Sequence, residues 1–149
     1  MIIINFTSGL GNQLFQYFFG ESLNIKLKNQ EIKYLNSLMR PEQIKFWDIF
    51  DVNIKEIKRN DIKNLNNLIR KNKFLFVNII KLIVKLNLNK NFNIFSDINY
   101  KFDSEISFDK KKSYLFYGYW QHNKFFNSNF SKIKKTLSFK KKIIFRTFR

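Results

Sequence analysis

The residues best suited to chemistry fall in two short stretches. The first is Ser8-Gly9-Leu10-Gly11-Asn12-Gln13, directly behind an apolar run rich in β-branched residues at 1–6. Two glycines one residue apart bare the backbone, and a helix opening at Asn12 aims its free N–H groups and the positive end of its dipole at the mouth of the turn. Such a turn favours phosphate or another anion. Asn12 and Gln13 add neutral amides that can bind a phosphate oxygen or a sugar hydroxyl. The second stretch is Tyr119-Trp120-Gln121. A ring face there can stack on the apolar side of a pyranose while Gln121 bonds its hydroxyls. His122 is the single histidine.

Spacing alone does not name a ligand. The dinucleotide fingerprint wants a third glycine where Leu14 stands, and no Gly-Lys-Ser/Thr follows, so the turn is not a P-loop. A tight βα turn whose glycines only relax the backbone is the plainer reading of Gly9 and Gly11. For Tyr119 and Trp120 the plainer reading is the core end of a strand, with Gln121 satisfying a buried backbone group.

Residues 1–6 read as a buried strand. The helix that follows puts Phe15, Phe18, Ser22 and Ile25 on one face and Gln13, Gln16, Gly20 and Asn24 on another. A second strand is expected through Ile32 and Tyr34. Leu38-Met39-Arg40-Pro41 marks a loop, and Pro41, the one proline, suits a first helical turn. The aromatic cluster Phe46-Trp47-Asp48-Ile49-Phe50 is expected in the core rather than as a sugar platform.

Residues 54–69 and 74–88 read as helices, and 87–99 as an Asn-rich loop. On the second of these helices Asn78, Lys81 and Lys85 line up, either as a thin polar face or as an interfacial face meeting anionic lipid. A strand is expected over 114–119 and a helix over 127–137, capped by Asn129 or Ser131, with Phe130, Ile133 and Leu137 as its buried edge. A last strand begins at Ile143-Ile144-Phe145. No repeat or Pro/Gly-rich linker divides the chain. The order predicts one α/β domain, a parallel sheet flanked by helices.

The 149 residues are 44% hydrophobic and 18% aromatic, with 19 Phe, which is too apolar for a disordered chain. Without cysteine there is no disulfide framework and no Cys-based metal site. The net charge of +17 draws polyanions, yet the basic residues are dispersed and only 110–112 and 140–142 are compact lysine runs. Lys, Asn, Ile and Phe rise together, as AT-rich coding produces. Neither a recognition helix nor an aromatic RNA-binding signature is present, so no nucleic-acid partner is expected. Residues 1–4 lack the basic region of a signal peptide, and 74–88 is too short and too charged to span a bilayer. A cytoplasmic location is expected, with peripheral contact at the inner membrane face as the alternative.

The string Gly9-Leu10-Gly11-Asn12-Gln13-Leu14-Phe15-Gln16-Tyr17 closely resembles the N-terminal signature of the bacterial α-1,2-fucosyltransferases, glycosyltransferase family 11. The family's usual form begins Gly-Gly, and Ser8 stands at the first of these. Tyr117-Gly118-Tyr119-Trp120-Gln121 resembles the family's Gly-Tyr-Trp-Gln block, with His122 and Asn123 where Ser and Glu are usual. Phe102-Asp103-Ser104-Glu105-Ile106 and Asn53-Ile54 are looser matches.

The resemblance implies the N-terminal Rossmann-like half of a GT-B glycosyltransferase over residues 1–149, with the donor-binding half absent. It implies transfer of L-fucose from GDP-fucose to the 2-hydroxyl of a galactoside in surface glycan synthesis. Gly9, Gly11, Asn12, Gln13, Tyr119, Trp120 and Gln121 are the substrate-binding residues it implies. No metal or other cofactor is implied, and the partners are the sugar nucleotide and the galactoside acceptor. The family's His-x-Arg-Arg-Gly-Asp block, whose arginine is thought to clamp the GDP phosphates, has no counterpart at Arg146 or Arg149. Little or no transferase activity is therefore expected of this chain alone. A non-catalytic carbohydrate- or partner-binding remnant is the alternative, and a basic nucleic-acid binder ranks last.

Overall fold

The structure is a computed structural model that describes residues 1–28, 30–36, 43–57, 92–96, 108–109 and 111–140. Its centre is β1 (Ile2–Asn5), whose four residues are all buried. Three consecutive isoleucines suit a strand covered on both faces. β2 (Ile32–Leu35) lies parallel on one side of β1, with Ile2 opposite Ile32 and Asn5 opposite Leu35. β4 (Ser113–Tyr117) lies parallel on the other side, with Ile2 opposite Tyr114 and Ile4 opposite Phe116. β3 (Phe92–Ser96) forms the outer strand, parallel to β4. The order is β2-β1-β4-β3. The chain is thus a mixed α/β fold on a parallel sheet.

Side chains alternate across β1. Ile2, Ile4 and Phe6 join the large core with α1 (Leu10–Lys26), whereas Ile3 joins a smaller cluster with Leu35, Ile57 and Leu115 on the opposite face. On the α1 side lie α2 (Phe46–Ile49) and α3 (Phe130–Thr136), and the layer between them and the sheet is largely aromatic. Phe6 stacks on Tyr34 at 4.9 Å, Tyr17 packs on Phe46 at 4.7 Å, and Phe19 lies flat on Trp120 at 4.1 Å and 2°. Each such pair contributes about 0.5–1.5 kcal/mol beyond its buried area.

The inward face of α1 carries Gln13, Gln16, Tyr17, Gly20 and Leu23 among its buried residues, so the stripe of amides and glycine turns toward the sheet. Gly20 permits this approach. A β-carbon there would stand 2.6 Å from Tyr34 Oη and 3.1 Å from Ile4 Cγ1.

Three elements differ from what the sequence suggests. Residues 54–57 are extended rather than the first turn of a helix, with Glu56 bridged parallel to Tyr34; the rest of that segment lies outside the described residues. Backbone bonds from Tyr34 to Lys55 and from Ile57 to Tyr34 draw the segment along the free edge of β2. Residues 92–96 form β3 instead of a loop, because pairing with β4 outweighs the weak strand preference of Asn93. The helix at the end of the described chain starts at Phe130, after two 3-10 turns. Asn129 sits at its start but donates to Ser22 Oγ at 3.0 Å, tying α3 to α1 rather than capping it. The expected helix at 74–88, the loop at 38–41 and the strand at 143–145 lie outside the described residues. Among the described residues no helix is long and apolar enough to cross a membrane.

Candidate functional site

A parallel sheet delivers the exits of neighbouring strands to one edge. The loop leaving β1 (residues 6–9) and the loop leaving β4 (residues 118–122) meet there, beside the first turns of α1. β1 runs on through α1 to β2 on one side, while β4 lies on the other. The carboxyl ends of adjacent strands whose connections diverge form the usual ligand crevice of an open α/β sheet.

Amides from α1 gather these loops. Gln16 accepts from the Thr7 N–H at 3.0 Å and donates to the Gly118 carbonyl at 2.8 Å. Gln13 donates to the Ser8 and Ile44 carbonyls, at 3.1 and 2.9 Å, and accepts from the Phe46 N–H at 2.7 Å. Both glutamines are fully buried. Asn12, at the rim, accepts from Gln121 Nε2 at 2.7 Å. The two stretches singled out in the sequence are therefore joined directly, 109 residues apart in the chain.

Among the described residues, the positive backbone φ angles fall in the same loops. Ser8 has φ 64°, Gly118 φ 140° and Trp120 φ 55°. Left-handed geometry costs a residue with a β-carbon about 1–2 kcal/mol. Non-glycine residues persist in it where the surroundings over-determine them, as at ligand clamps. Glycine would adopt the φ of Ser8 without that cost.

The seven residues expected to bind substrate divide into two sets. Gly9, Gly11, Tyr119 and Gln121 are exposed and Asn12 is half-buried at the rim. Gln13 and Trp120 lie in the interior, so the ring of Trp120 packs against Phe19, Phe116 and Phe125 and offers no face to solvent. Gly9 and Gly11 have open space where a β-carbon would sit. Neither adopts a left-handed φ, so the turn itself does not require glycine at these two positions. Helix α1 begins without a side-chain cap or an acidic residue in its first turn, and the first helical bond runs from the Gln13 N–H to the Gly9 carbonyl. The N–H groups of Leu10, Gly11 and Asn12 precede that bond and point out of the helix end.

His122 is exposed on the β4 loop, where its Nδ1 accepts from the Lys124 N–H at 3.2 Å. No three His, Cys, Asp or Glu side chains gather among the described residues. Sequence reasoning left Gln16, Ser8 and Gly118 out of the site. The available signal was the spacing of Gln13, Gln16 and Gly20, a polar stripe on a helix that must bury one face. Among family models, curated proteins and solved structures alike, no match to this chain is found.

Proposed function

We propose that the carboxyl edge of β1 and β4 binds a sugar nucleotide and a galactoside, as the N-terminal, Rossmann-like half of a GT-B α-1,2-fucosyltransferase. One observation carries the reading: the two blocks that resemble the fucosyltransferase signatures are held against each other by the Gln121–Asn12 bond and by the Gln16 tether. The left-handed φ of Ser8, at the family's glycine, supports it further.

The chemistry follows from the groups at the edge. Fucose transfer creates a diphosphate leaving group. The bare N–H groups of Leu10, Gly11 and Asn12 and the dipole of a 17-residue helix offset part of its charge, the rest falling to the family's clamp arginine. Exposed Gly9 and Gly11 let that group approach the backbone closely. Asn12 and Gln121 bond the acceptor's hydroxyls, and the exposed Tyr119 ring provides an apolar face for the pyranose. We assign no general base. The family's phosphate clamp, His-x-Arg-Arg-Gly-Asp, is absent from these 149 residues, which favours binding without turnover for the chain by itself.

Calorimetric titration with GDP and with lactose tests this, alongside an assay for fucosyl-lactose formed from GDP-fucose. The expected outcome is binding of both ligands and no product. Failure to bind either ligand contradicts the site, and measurable turnover contradicts the requirement for the missing clamp.

A further inference from the structure

We infer that Gln16 is a positioning residue that couples the two loops, so that nucleotide bound at the β1 loop and galactoside bound at the β4 loop each strengthen the other. The inference rests on the proposed transferase site and adds to it a linkage between its two halves.

Gln16 spends its whole carboxamide on these loops. One end accepts from Thr7 in the β1 exit, and the other donates to Gly118 in the β4 exit. Its side chain is fully buried, and water does not compete for the bond to Gly118, whereas the bond from Thr7 is part-buried. Both backbones it holds lead into left-handed geometry, at Ser8 on one side and at Gly118 and Trp120 on the other. For Ser8 and Trp120, which carry a β-carbon, such conformations need an external constraint, and the Gln16 side chain bonds to both loops.

The second link differs in kind. The Gln121–Asn12 bond is exposed, so its partners exchange readily with water or with ligand hydroxyls. Among the described residues, the Asn12 and Gln121 side chains bond only to each other. The buried bond therefore sets the spacing of the loops, and the exposed one yields to the ligand. A ligand that orders either loop holds the Gln16 carboxamide in place for the other. The second ligand then pays less ordering cost, which is positive coupling without any large movement. By linkage the effect is reciprocal.

Two substitutions separate the halves of the tether. Gln16→Glu, titrated below and above the pH at which its buried carboxyl ionises, still accepts from the Thr7 N–H and loses the donor to the Gly118 carbonyl only as a carboxylate. Gln16→Met keeps the length and loses both bonds. In the wild-type chain, saturating GDP is expected to tighten lactose binding about tenfold, within the usual range of coupling between sites. In Gln16→Glu as the carboxylate, GDP affinity should stay within about twofold, lactose affinity should fall about tenfold for the lost buried bond, and the coupling should vanish. Gln16→Met should weaken both ligands, and circular dichroism checks that each variant is folded. A purely structural role would lower both affinities together in the Glu variant. A folded Met variant that keeps wild-type lactose affinity and wild-type coupling overturns the inference while leaving the transferase reading intact. A wild-type chain that binds neither ligand overturns both.

Discussion

At the residue scale, the glycines of α1 and its entry do different work. Gly20 faces Tyr34, and a β-carbon there would meet its hydroxyl at 2.6 Å. Gly20→Ala should therefore destabilise the fold by about 1–3 kcal/mol through overpacking, against a helix-propensity gain of about 1 kcal/mol. Gly11→Ala meets open space and should gain most of that propensity term. If Gly11 exists to admit a ligand, the same variant should be more stable and bind GDP more weakly. Urea unfolding with parallel GDP titration checks both halves. Ser8→Gly relieves a left-handed residue and should raise stability by about 1 kcal/mol, read as a higher urea midpoint at unchanged slope. A lower midpoint would mean that the Ser8 side chain contributes more than its backbone costs.

At the element scale, strand–turn–helix was legible at the start of the chain because its apolar run, glycine turn and helical period all agree. The same holds for β2, marked by Ile32 and Tyr34, and for β4, whose Tyr114-Leu115-Phe116-Tyr117 is a short aromatic and apolar run. β3 was not legible: Phe92-Asn93-Ile94-Phe95-Ser96 carries too little local preference, and a parallel partner far along the chain decides it. Residues 54–57 mislead for the same reason, since a hydrophobic spacing that suits a helix also suits an edge segment bonded to Tyr34. In the site, the rim residues were legible from residue type. The buried tether was not, because an amide on an inward helix face becomes recognisable only once the loops it bonds are placed.

The packing of α1 on β2 also gives a pH dependence. Burial, and then the nearby carboxylate of Glu21, push the Tyr34 phenol well above its ordinary value of 10.0, and Tyr17 is raised by the same causes. Tyr34 donates its hydroxyl hydrogen to Glu21 at 2.8 Å, a bond that ionisation would destroy. In the unfolded chain both phenols ionise near pH 10, whereas the folded chain keeps them protonated. The folded state then binds more protons, so their contribution is complete below pH 10 and is lost as pH rises toward the folded values. The urea midpoint should fall above pH 10, and Tyr34→Phe should fall less steeply than wild type. Equal slopes would contradict the assigned cause.

At the scale of the whole molecule, one face of the sheet carries α1, α2 and α3, and its carboxyl edge brings the exits of β1 and β4 to the start of α1. Gln13 holds the β1 exit and the approach to α2, Gln16 holds the β1 and β4 exits, and Asn12 closes the rim. The surroundings are basic: residues 111–140 hold seven lysines and no Asp or Glu. That field attracts a diphosphate without selecting it, so affinity for GDP alone does not locate the site.

Residue-resolved amide shifts in the ¹⁵N-labelled chain, followed during titration with GDP and with lactose, do locate it. The account predicts that GDP moves the signals of Gly9, Leu10, Gly11 and Asn12, and that lactose moves those of Tyr119, Gln121 and His122, with each ligand also felt at Gly118 through Gln16. Shifts confined to the lysines of α3, or an unmoved β1 loop at saturation, would contradict it.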